Sequence, residues 1–252
     1  MKTALIRQPA GLGDIFYLQK AAKVLVKNDY KVIWPLAKGY VYIKNYIENN
    51  GIEYYDETGE FPYKEMYHHN NVIKLHPTNT DEIIFIPFQD ADRIMQTVPM
   101  KAKYPLVGIS DADWQEHFTF TRDPKREDKL KQYYGINDGD EFIFINNSFG
   151  SPPEIFTRDV TITDTKSKQI KIDPAKLHYD DGEPIHLFDY CWILENAKEI
   201  HTVETSFCYL IEKLNTTNNL YMYSRKINGR ARFNDFSYVD HIYKRKWSTI
   251  ND

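Results

Sequence analysis

Asp14 is the residue whose type and position most directly suggest chemistry. It lies in a short turn with Gly11 and Gly13, between an apolar segment that ends at Ile6 and a predicted helix. Glycines let the backbone turn tightly and approach a ligand closely. A carboxylate at the start of a helix can also accept hydrogen bonds from its free N–H groups. The sequence therefore leaves two roles open for Asp14: a helix cap, or an acid carried into a ligand crevice.

Two phosphate-binding loops do not match this turn. The dinucleotide fingerprint G-x-G-x-x-G needs a third glycine where this chain has Phe16, and no Gly-Lys-Ser/Thr follows as a Walker-type loop requires. A glycine turn between a strand and a helix is still the place where open α/β sheets bind ligands, at their carboxyl edge. We therefore expect a ligand crevice at this turn that neither motif describes.

A second polar corner lies in the other half of the chain. Glu204, Thr205 and Ser206 separate a predicted strand from a predicted helix, so two hydroxyls and free N–H groups meet at a helix start, which suits an anion. The predicted strand 141–146 is likewise followed by a polar turn that includes Asn147 and Ser148, and Arg225 follows the strand predicted at 221–223. These residues are expected to share one carboxyl edge.

Two acid pairs raise the alternative of a metal site. Asp90/Asp92 and Asp111/Asp113 each follow a predicted strand, and an Asp-x-Asp pair can hold a divalent cation on a diphosphate. Turns also favour aspartate for local hydrogen bonding, and we favour this second interpretation. His68, His69 and His76 do not match the spacing of a helical metal pair. No metal site is predicted.

Composition limits the partners and the compartment. The 252 residues carry a net charge of -4, which argues against nucleic acid as the main partner. The sequence shows no signal peptide and no apolar run of membrane-spanning length, so a cytoplasmic protein is expected, with peripheral membrane association left open. Cys191 and Cys208 lie in apolar segments and are predicted to be buried thiols.

The segments that position these residues alternate between strand and helix patterns, which predicts an α/β fold with parallel sheets. Strands are predicted at 2–6, 31–35, 52–55, 83–88, 106–109, 141–146, 199–203 and 221–223. Helices are predicted after Asp14, at 41–49, at 127–134, after a cap at Asp189, and after the 204–206 corner. The polar segment 122–127 predicts a domain junction, which gives domains 1–123 and 124–252.

The G-L-G-D turn at 11–14 and the I-H-T-V-E-T-S-F corner at 200–207 together resemble the heptosyltransferase-related (family 9-like) glycosyltransferases of the GT-B fold. The resemblance implies two Rossmann-like domains facing across a cleft, in a compact version. It implies an acceptor-side domain at 1–123 and a nucleotide-sugar-binding domain at 124–252. It also implies an inverting, metal-independent transferase without a cofactor, acting on a glycan or glycolipid acceptor in polysaccharide biosynthesis.

The resemblance also implies roles for individual residues. Asp14 would be the general base, and Arg7, Gly11 and Gly13 would form the acceptor-side phosphate loop. The donor would contact a set of polar residues in the second half: Asn147, Ser148, Glu204, Thr205, Ser206 and Arg225. One departure is that the histidine of the family's usual Asp-Ser/Thr-Gly-x-x-His corner is replaced by Tyr209, which leaves the donor sugar open.

Other functions are compatible with the same residues. A GT-B-like nucleotide-sugar epimerase or hydrolase would use the same donor site but turn over without an acceptor. A metal-dependent transferase would use Asp90 and Asp92. A non-catalytic nucleotide- or carbohydrate-binding module would bind without turnover, and the missing histidine and the short chain favour this alternative.

Overall fold

The computed structural model describes residues 2–69, 83–151, 154–227, 230–233, 236 and 239–250. The chain divides into two compact units, Met1–Thr121 and Arg122–Asp252. We call these unit 1 and unit 2 and describe each by itself.

Unit 1 is organised around a parallel sheet. Its strands, within the described ranges, are β1 (Lys2–Ile6), β2 (Tyr30–Leu36), β3 (Ile52–Asp56) and β4 (Ile83–Ile86). They pair in the order β3-β2-β1-β4, and every pairing is parallel. Ala4, Leu5 and Ile6 are fully buried, which explains why β1 is a continuous apolar run rather than an alternating one.

Short helices lie between these strands and after β4. They are α1 (Leu12–Tyr17), α2 (Gln19–Lys27), α3 (Lys64–His69), α4 (Ala91–Met95), α5 (Pro99–Leu106) and α6 (Trp114–His117), with 3-10 segments at Lys38–Asn45 and Phe88–Asp90. The helix predicted after Asp14 is divided at Leu18 into α1 and α2. The helical spacing predicts one buried face with Ile15, Leu18, Ala22 and Leu25; the first three are buried, and Leu25 is half-buried.

Two predictions in unit 1 are wrong. The strand predicted at 106–109 does not form, because Leu106 ends α5, and Val107 and Gly108 form a turn. The helix predicted at 41–49 is instead a 3-10 segment that ends at Asn45. Both errors involve short apolar segments, and such runs do not distinguish helix from strand by periodicity alone.

Unit 2 contains a second parallel sheet. The strands in its described part are β5 (Phe142–Asn146), β6 (Ser148–Ser151), β7 (Glu154–Thr157), β8 (Lys168–Lys171), β9 (Glu199–Val203), β10 (Asn219–Tyr223), β11 (Arg225–Ile227), β12 (Arg230–Phe233) and β13 (Ser248–Ile250). The parallel sheet has the order β13-β10-β9-β5-β8. Two antiparallel pairs, β6 with β7 and β11 with β12, lie outside it. The edge strands β8 and β13 were not predicted.

The helices of unit 2 are α7 (Pro124–Tyr133), α8 (Cys191–Asn196), α9 (Ser206–Ile211) and α10 (Val239–Ile242), with a 3-10 segment at Leu187–Tyr190. Asp123 caps α7 by accepting hydrogen bonds from two backbone N–H groups. The predicted cap at Asp189 is wrong by three residues. His186 is the cap of the 3-10 segment, and the Asp189 carboxylate accepts a hydrogen bond from its backbone N–H at 2.9 Å.

Each sheet has a point where the strand order reverses. In unit 1 the chain goes from β1 to β2 and β3, and then places β4 on the other side of β1. In unit 2, β8 lies on one side of β5, and β9 and β10 lie on the other. Open α/β sheets bind ligands at the carboxyl ends of the strands at such reversals. The residues after β1 and β4, and after β5 and β9, are therefore the candidates.

Candidate functional site

Asp14 forms an ion pair with a buried lysine at the carboxyl edge of the first sheet. Its Oδ1 lies 2.7 Å from Lys103 Nζ, and the exposed fractions of the two side chains are 31% and 4% respectively. Asp14 is the third residue of α1, and no side chain caps that helix. The carboxylate is therefore held by Lys103, and no side-chain hydrogen bond caps the start of α1.

Gln8 connects this ion pair to the preceding turn. Its Oε1 accepts a hydrogen bond from Lys103 Nζ at 2.6 Å, and its Nε2 donates to the Ala10 carbonyl at 2.7 Å. Its own carbonyl accepts from Trp34 Nε1 at 2.9 Å. The turn between β1 and α1 is thus braced by buried polar contacts, and these contacts fix the ammonium group beside Asp14.

Gly11 leaves room for the other carboxylate oxygen. Its φ of 83° lies in the region that favours glycine, and a Cβ at this position would lie 2.3 Å from Asp14 Oδ2. Among the described residues, Oδ2 has no hydrogen-bond partner. One oxygen of Asp14 is therefore anchored, and the other is available at the sheet edge.

Arg7 lies at the same edge but makes different contacts. Its backbone is bonded to β4 and to the 3-10 segment that follows it, since its N–H donates to the Ile86 carbonyl at 2.9 Å and its carbonyl accepts from Gln89 N at 3.1 Å. Its guanidinium lies 3.8 Å from Asp90, whose carboxylate also contacts Arg93 at 3.1 Å. Arg7 is close to the Asp14 turn in sequence, but its described ion pair is with Asp90.

The carboxyl edge of unit 2 brings the ends of β5 and β9 together. Asn146 is the last residue of β5, and its Nδ2 donates to Thr202 Oγ1 at 3.0 Å and to Thr205 Oγ1 at 3.1 Å. Thr205 precedes α9 and, like Ser206, is half-buried. Because the Thr205 oxygen accepts the hydrogen bond from Asn146, its O–H group can donate to another acceptor. This edge offers a positioned hydroxyl donor.

Glu204 is more enclosed than its neighbours in the corner. Its side chain is 7% exposed, and it accepts from Arg225 Nη2 at 2.8 Å and from Tyr243 O–H at 3.1 Å. Arg225 Nε also donates to the Glu204 carbonyl at 2.7 Å. The structure therefore brings Arg225 to the predicted corner, where its guanidinium braces Glu204.

Asn147 and Ser148 begin the β6–β7 hairpin. Asn147 Nδ2 donates at 3.1 Å to the carbonyl of Arg158, which follows β7 and lies opposite Asn147. Ser148 N–H donates to Asn146 Oδ1 at 3.3 Å. Ser148 Oγ is buried and makes no hydrogen bond with any residue in the described ranges. Both residues lie next to the Asn146–Thr205 contact, as the order of the strands requires.

Three of the four acids considered as metal ligands, Asp90, Asp111 and Asp113, contact protein side chains. Asp111 accepts from Tyr17 O–H at 2.5 Å, and Asp113 pairs with Lys20, whose hydrogen bond lowers the pKa of that carboxyl. Both acids follow the turn after α5 rather than a strand. Within the described ranges, no group of three His, Cys, Asp or Glu side chains could hold a metal ion. His76 lies outside those ranges.

Both cysteines are buried, as predicted. Burial raises the pKa of Cys208 well above its usual range and also raises the pKa of Cys191. The thiolate is the nucleophilic form of cysteine. Neither thiol is therefore suited to act as a nucleophile.

Sequence reasoning missed three of the residues that build these edges: Gln8, Lys103 and Asn146. Gln8 and Asn146 adjoin motifs that were identified, so their positions after or within strands gave some signal. Lys103 lies in α5, in a segment whose lysines resemble those of any solvated helix. Nothing in its local sequence indicates that it is buried against Asp14.

Comparison with known proteins supports the fold. No family model matches the chain, and no curated protein matches it. The crystal structure of the glycosyl transferase family 9 protein from Veillonella parvula is similar, with a TM-score of 0.50 and 10% identity, over 99% of this chain and 86% of that chain. E. coli heptosyltransferase WaaC with ADP has a TM-score of 0.39 and 13% identity, over 91% and 89%.

At this sequence identity the similarity shows a shared fold but no shared activity or ligand. The α/β fold class with parallel sheets, and the predicted resemblance to the family 9 glycosyltransferase fold, are confirmed. A separate observation is that no helix among the described residues has both the length and the apolar character needed to cross a membrane.

Proposed function

We propose that this protein is an inverting glycosyltransferase that moves a sugar from a nucleotide-sugar donor to a hydroxyl of a glycan or glycolipid acceptor. The observation that carries the proposal is the state of Asp14: one carboxylate oxygen is anchored by Lys103, and the other has no described partner. A general base needs this arrangement, because it must be fixed and still present a lone pair to the incoming hydroxyl.

In the proposed reaction, Asp14 Oδ2 takes the proton of the acceptor hydroxyl as the oxygen attacks the anomeric carbon. A new carbon–oxygen bond forms there while the bond to the diphosphate breaks, and the nucleoside diphosphate leaves with the electron pair. Hydrogen-bond donors must stabilise the charge that develops on this leaving group. We assign that role to unit 2, where the Thr205 hydroxyl is oriented by Asn146 and Ser206 follows it.

We propose the following roles for the other residues. Asn147 and Ser148 border the donor site, and the ion pair of Glu204 with Arg225 supports it. Gly11 and Gly13 shape the acceptor-side turn, and Arg7 adds a positive charge at that edge. The proposed transfer uses no cofactor and no metal, so full activity in EDTA is expected. Loss of activity in EDTA that added Mg²⁺ restores would favour the metal-dependent alternative.

The test compares Asp14→Asn with wild type. Release of nucleoside diphosphate from UDP-glucose, ADP-glucose and GDP-mannose is measured alone and with a panel of glycan acceptors. General bases contribute about 10²–10⁴-fold, so Asp14→Asn should lose at least about 100-fold. Asp29→Asn is the matched control, since Asp29 is an exposed aspartate in a left-handed conformation that asparagine tolerates. It should keep the wild-type rate.

Three results would contradict the proposal in different ways. A folded Asp14→Asn variant with the wild-type rate would exclude Asp14 as the base. Turnover that no acceptor accelerates would favour a nucleotide-sugar hydrolase or epimerase. Binding of nucleoside diphosphates in calorimetry, with no turnover of any donor, would favour a non-catalytic module.

A further inference from the structure

Lys103 is a charged group enclosed by protein. Its side chain is only 4% exposed, and lysine is almost never buried to this extent without a partner. Its ammonium contacts Asp14 Oδ1 at 2.7 Å and Gln8 Oε1 at 2.6 Å. Asp14 is the carboxylate that compensates this charge among the residues that the structure describes.

The Lys103 side chain is fixed at both ends, by the packing of α5 at its backbone and by Gln8 at its ammonium group. Lys103 lies in α5, between buried Ala102 and Tyr104, and Tyr104 O–H donates to the carbonyl of Tyr17 at the end of α1. Gln8 is held at the other side through its contact with Ala10. A side chain that is held in one position in this way can fix the position of another group that it contacts.

The third group is the Asp14 carboxylate. Rotation about its last side-chain bond would exchange the two oxygens, and such torsions are broad when nothing restrains them. Pairing with Lys103 restrains this rotation and leaves Oδ2 beside the bare Cα of Gly11. The position of the free oxygen is therefore set from α5, a helix far along the chain from the turn.

We propose that Lys103 is a positioning residue for Asp14, a role that rests on the proposed function. It holds Oδ1 so that Oδ2 faces the attacking hydroxyl, and Gln8 keeps the ammonium group in place. Lys103 does not contact the substrate in this assignment. Its removal therefore weakens the chemical step and leaves donor binding unchanged.

The experiment measures kcat and KM for donor hydrolysis and transfer, with whichever of UDP-glucose, ADP-glucose and GDP-mannose the wild type turns over. Lys103→Met should lower kcat by about 10-fold or more while KM for the donor stays within about 3-fold, because misplacing a catalytic group costs rate rather than donor affinity. The double variant Asp14→Asn/Lys103→Met should be no slower than Asp14→Asn alone. A merely structural lysine would multiply the two losses.

Lys103→Met leaves Asp14 without its cation, so its folding is checked by near-ultraviolet circular dichroism. Gln8→Met provides a second test that keeps the ion pair intact and removes the other acceptor of the ammonium group. It should lower kcat by about 3-fold or more with KM unchanged. A loss in Gln8→Met that appears only in KM would overturn the positioning role.

The outcomes separate this inference from the proposed function. A folded Asp14→Asn variant with full rate would remove the proposed base, and the role of Lys103 with it. A slow Asp14→Asn variant combined with wild-type kcat in folded Lys103→Met and in Gln8→Met would overturn the positioning role alone, and Asp14 would remain the base.

Discussion

The Asp14–Lys103 pair predicts a stability effect that any test of Asp14 must take into account. Asp14→Asn replaces the carboxylate by a neutral amide and leaves the buried ammonium of Lys103 without a countercharge. The amide oxygen can still accept one hydrogen bond, so part of the contact survives. We expect the variant to be folded but less stable than wild type.

The magnitude follows from the exposure of the two side chains. Removing one partner of a fully buried pair costs about 3–5 kcal/mol, whereas an exposed pair contributes about 0.2–1 kcal/mol. Lys103 is 4% exposed and Asp14 is 31% exposed, so this pair lies between the two limits. With the remaining hydrogen bond counted, a loss of about 2 kcal/mol is expected, or a fall in Tm of roughly 8 °C for a unit of this size.

The double variant Asp14→Asn/Lys103→Met should recover much of this loss. Methionine places an apolar side chain of similar length in the buried position, and replacing a buried ion pair by apolar groups is often neutral. We expect its stability to lie within about 1 kcal/mol of wild type. Recovery of stability without recovery of turnover would separate the fold from the chemistry.

The assay is urea unfolding followed by circular dichroism, combined with hydrogen exchange of peptides from β1 and β5. Because the pair lies in unit 1, exchange of the β1 amides should accelerate in Asp14→Asn while exchange of the β5 amides stays unchanged. Asp29→Asn should match wild type in both measurements. An Asp14→Asn variant that unfolds at the wild-type urea concentration would refute the reasoning, since the buried lysine would then not need its carboxylate.

Three further predictions concern other contacts. Gly11→Ala should destabilise the protein by about 1–3 kcal/mol and reduce donor turnover, because φ is 83° and the new Cβ would displace Asp14 Oδ2; urea unfolding and the nucleotide-release assay measure both effects. Asp189→Asn should cost about 3 kcal/mol in urea unfolding, because the fully buried Asp189 carboxylate accepts two hydrogen bonds from Arg126 at 2.8 Å; a loss below about 1 kcal/mol would contradict this. Burial lowers the pKa of His201, although a contact with Glu199 opposes the shift, so its contribution to stability is present above the unfolded pKa of about 6.5 and is lost as pH falls through the folded pKa. The urea midpoint should therefore decrease as the pH is lowered from 7.5 to 5.5, and it should decrease less in His201→Gln. An equal dependence of the midpoint on pH in the two proteins would show that another group is responsible.

Most of the central strands could be predicted from the sequence. β1, β2 and β5 each have a paired strand on both sides and consist mainly of buried residues, so each contains a short apolar run that stands out from its polar surroundings. The edge strands β8 and β13 carry mostly exposed residues and lack this signal. The segment 106–109 shows the opposite error, since a short apolar run that ends a helix resembles a strand.

The candidate site likewise contains residues that the sequence could predict and residues that it could not. Asp14 and Thr205 could be placed at carboxyl edges because each lies where the chain passes from a predicted strand into the following helix, and the chain direction determines which edge of the sheet that is. Asn146 was treated only as the last residue of a strand, because its contact with Thr205 requires β5 and β9 to be neighbours. Neighbouring strands that are distant in sequence cannot be read from local patterns.

The sequence by itself determined that this chain forms parallel α/β units and that an acid and a hydroxyl corner end two of their strands. It could do so because burial period, glycine turns and chain direction are local properties. Only the tertiary structure decided which oxygen of Asp14 is free, because Lys103 and Gln8, 95 positions apart, meet through the packing of α5 against the first turn. The buried charge of Lys103 can be identified only from the residues around it, and those residues come from distant parts of the chain.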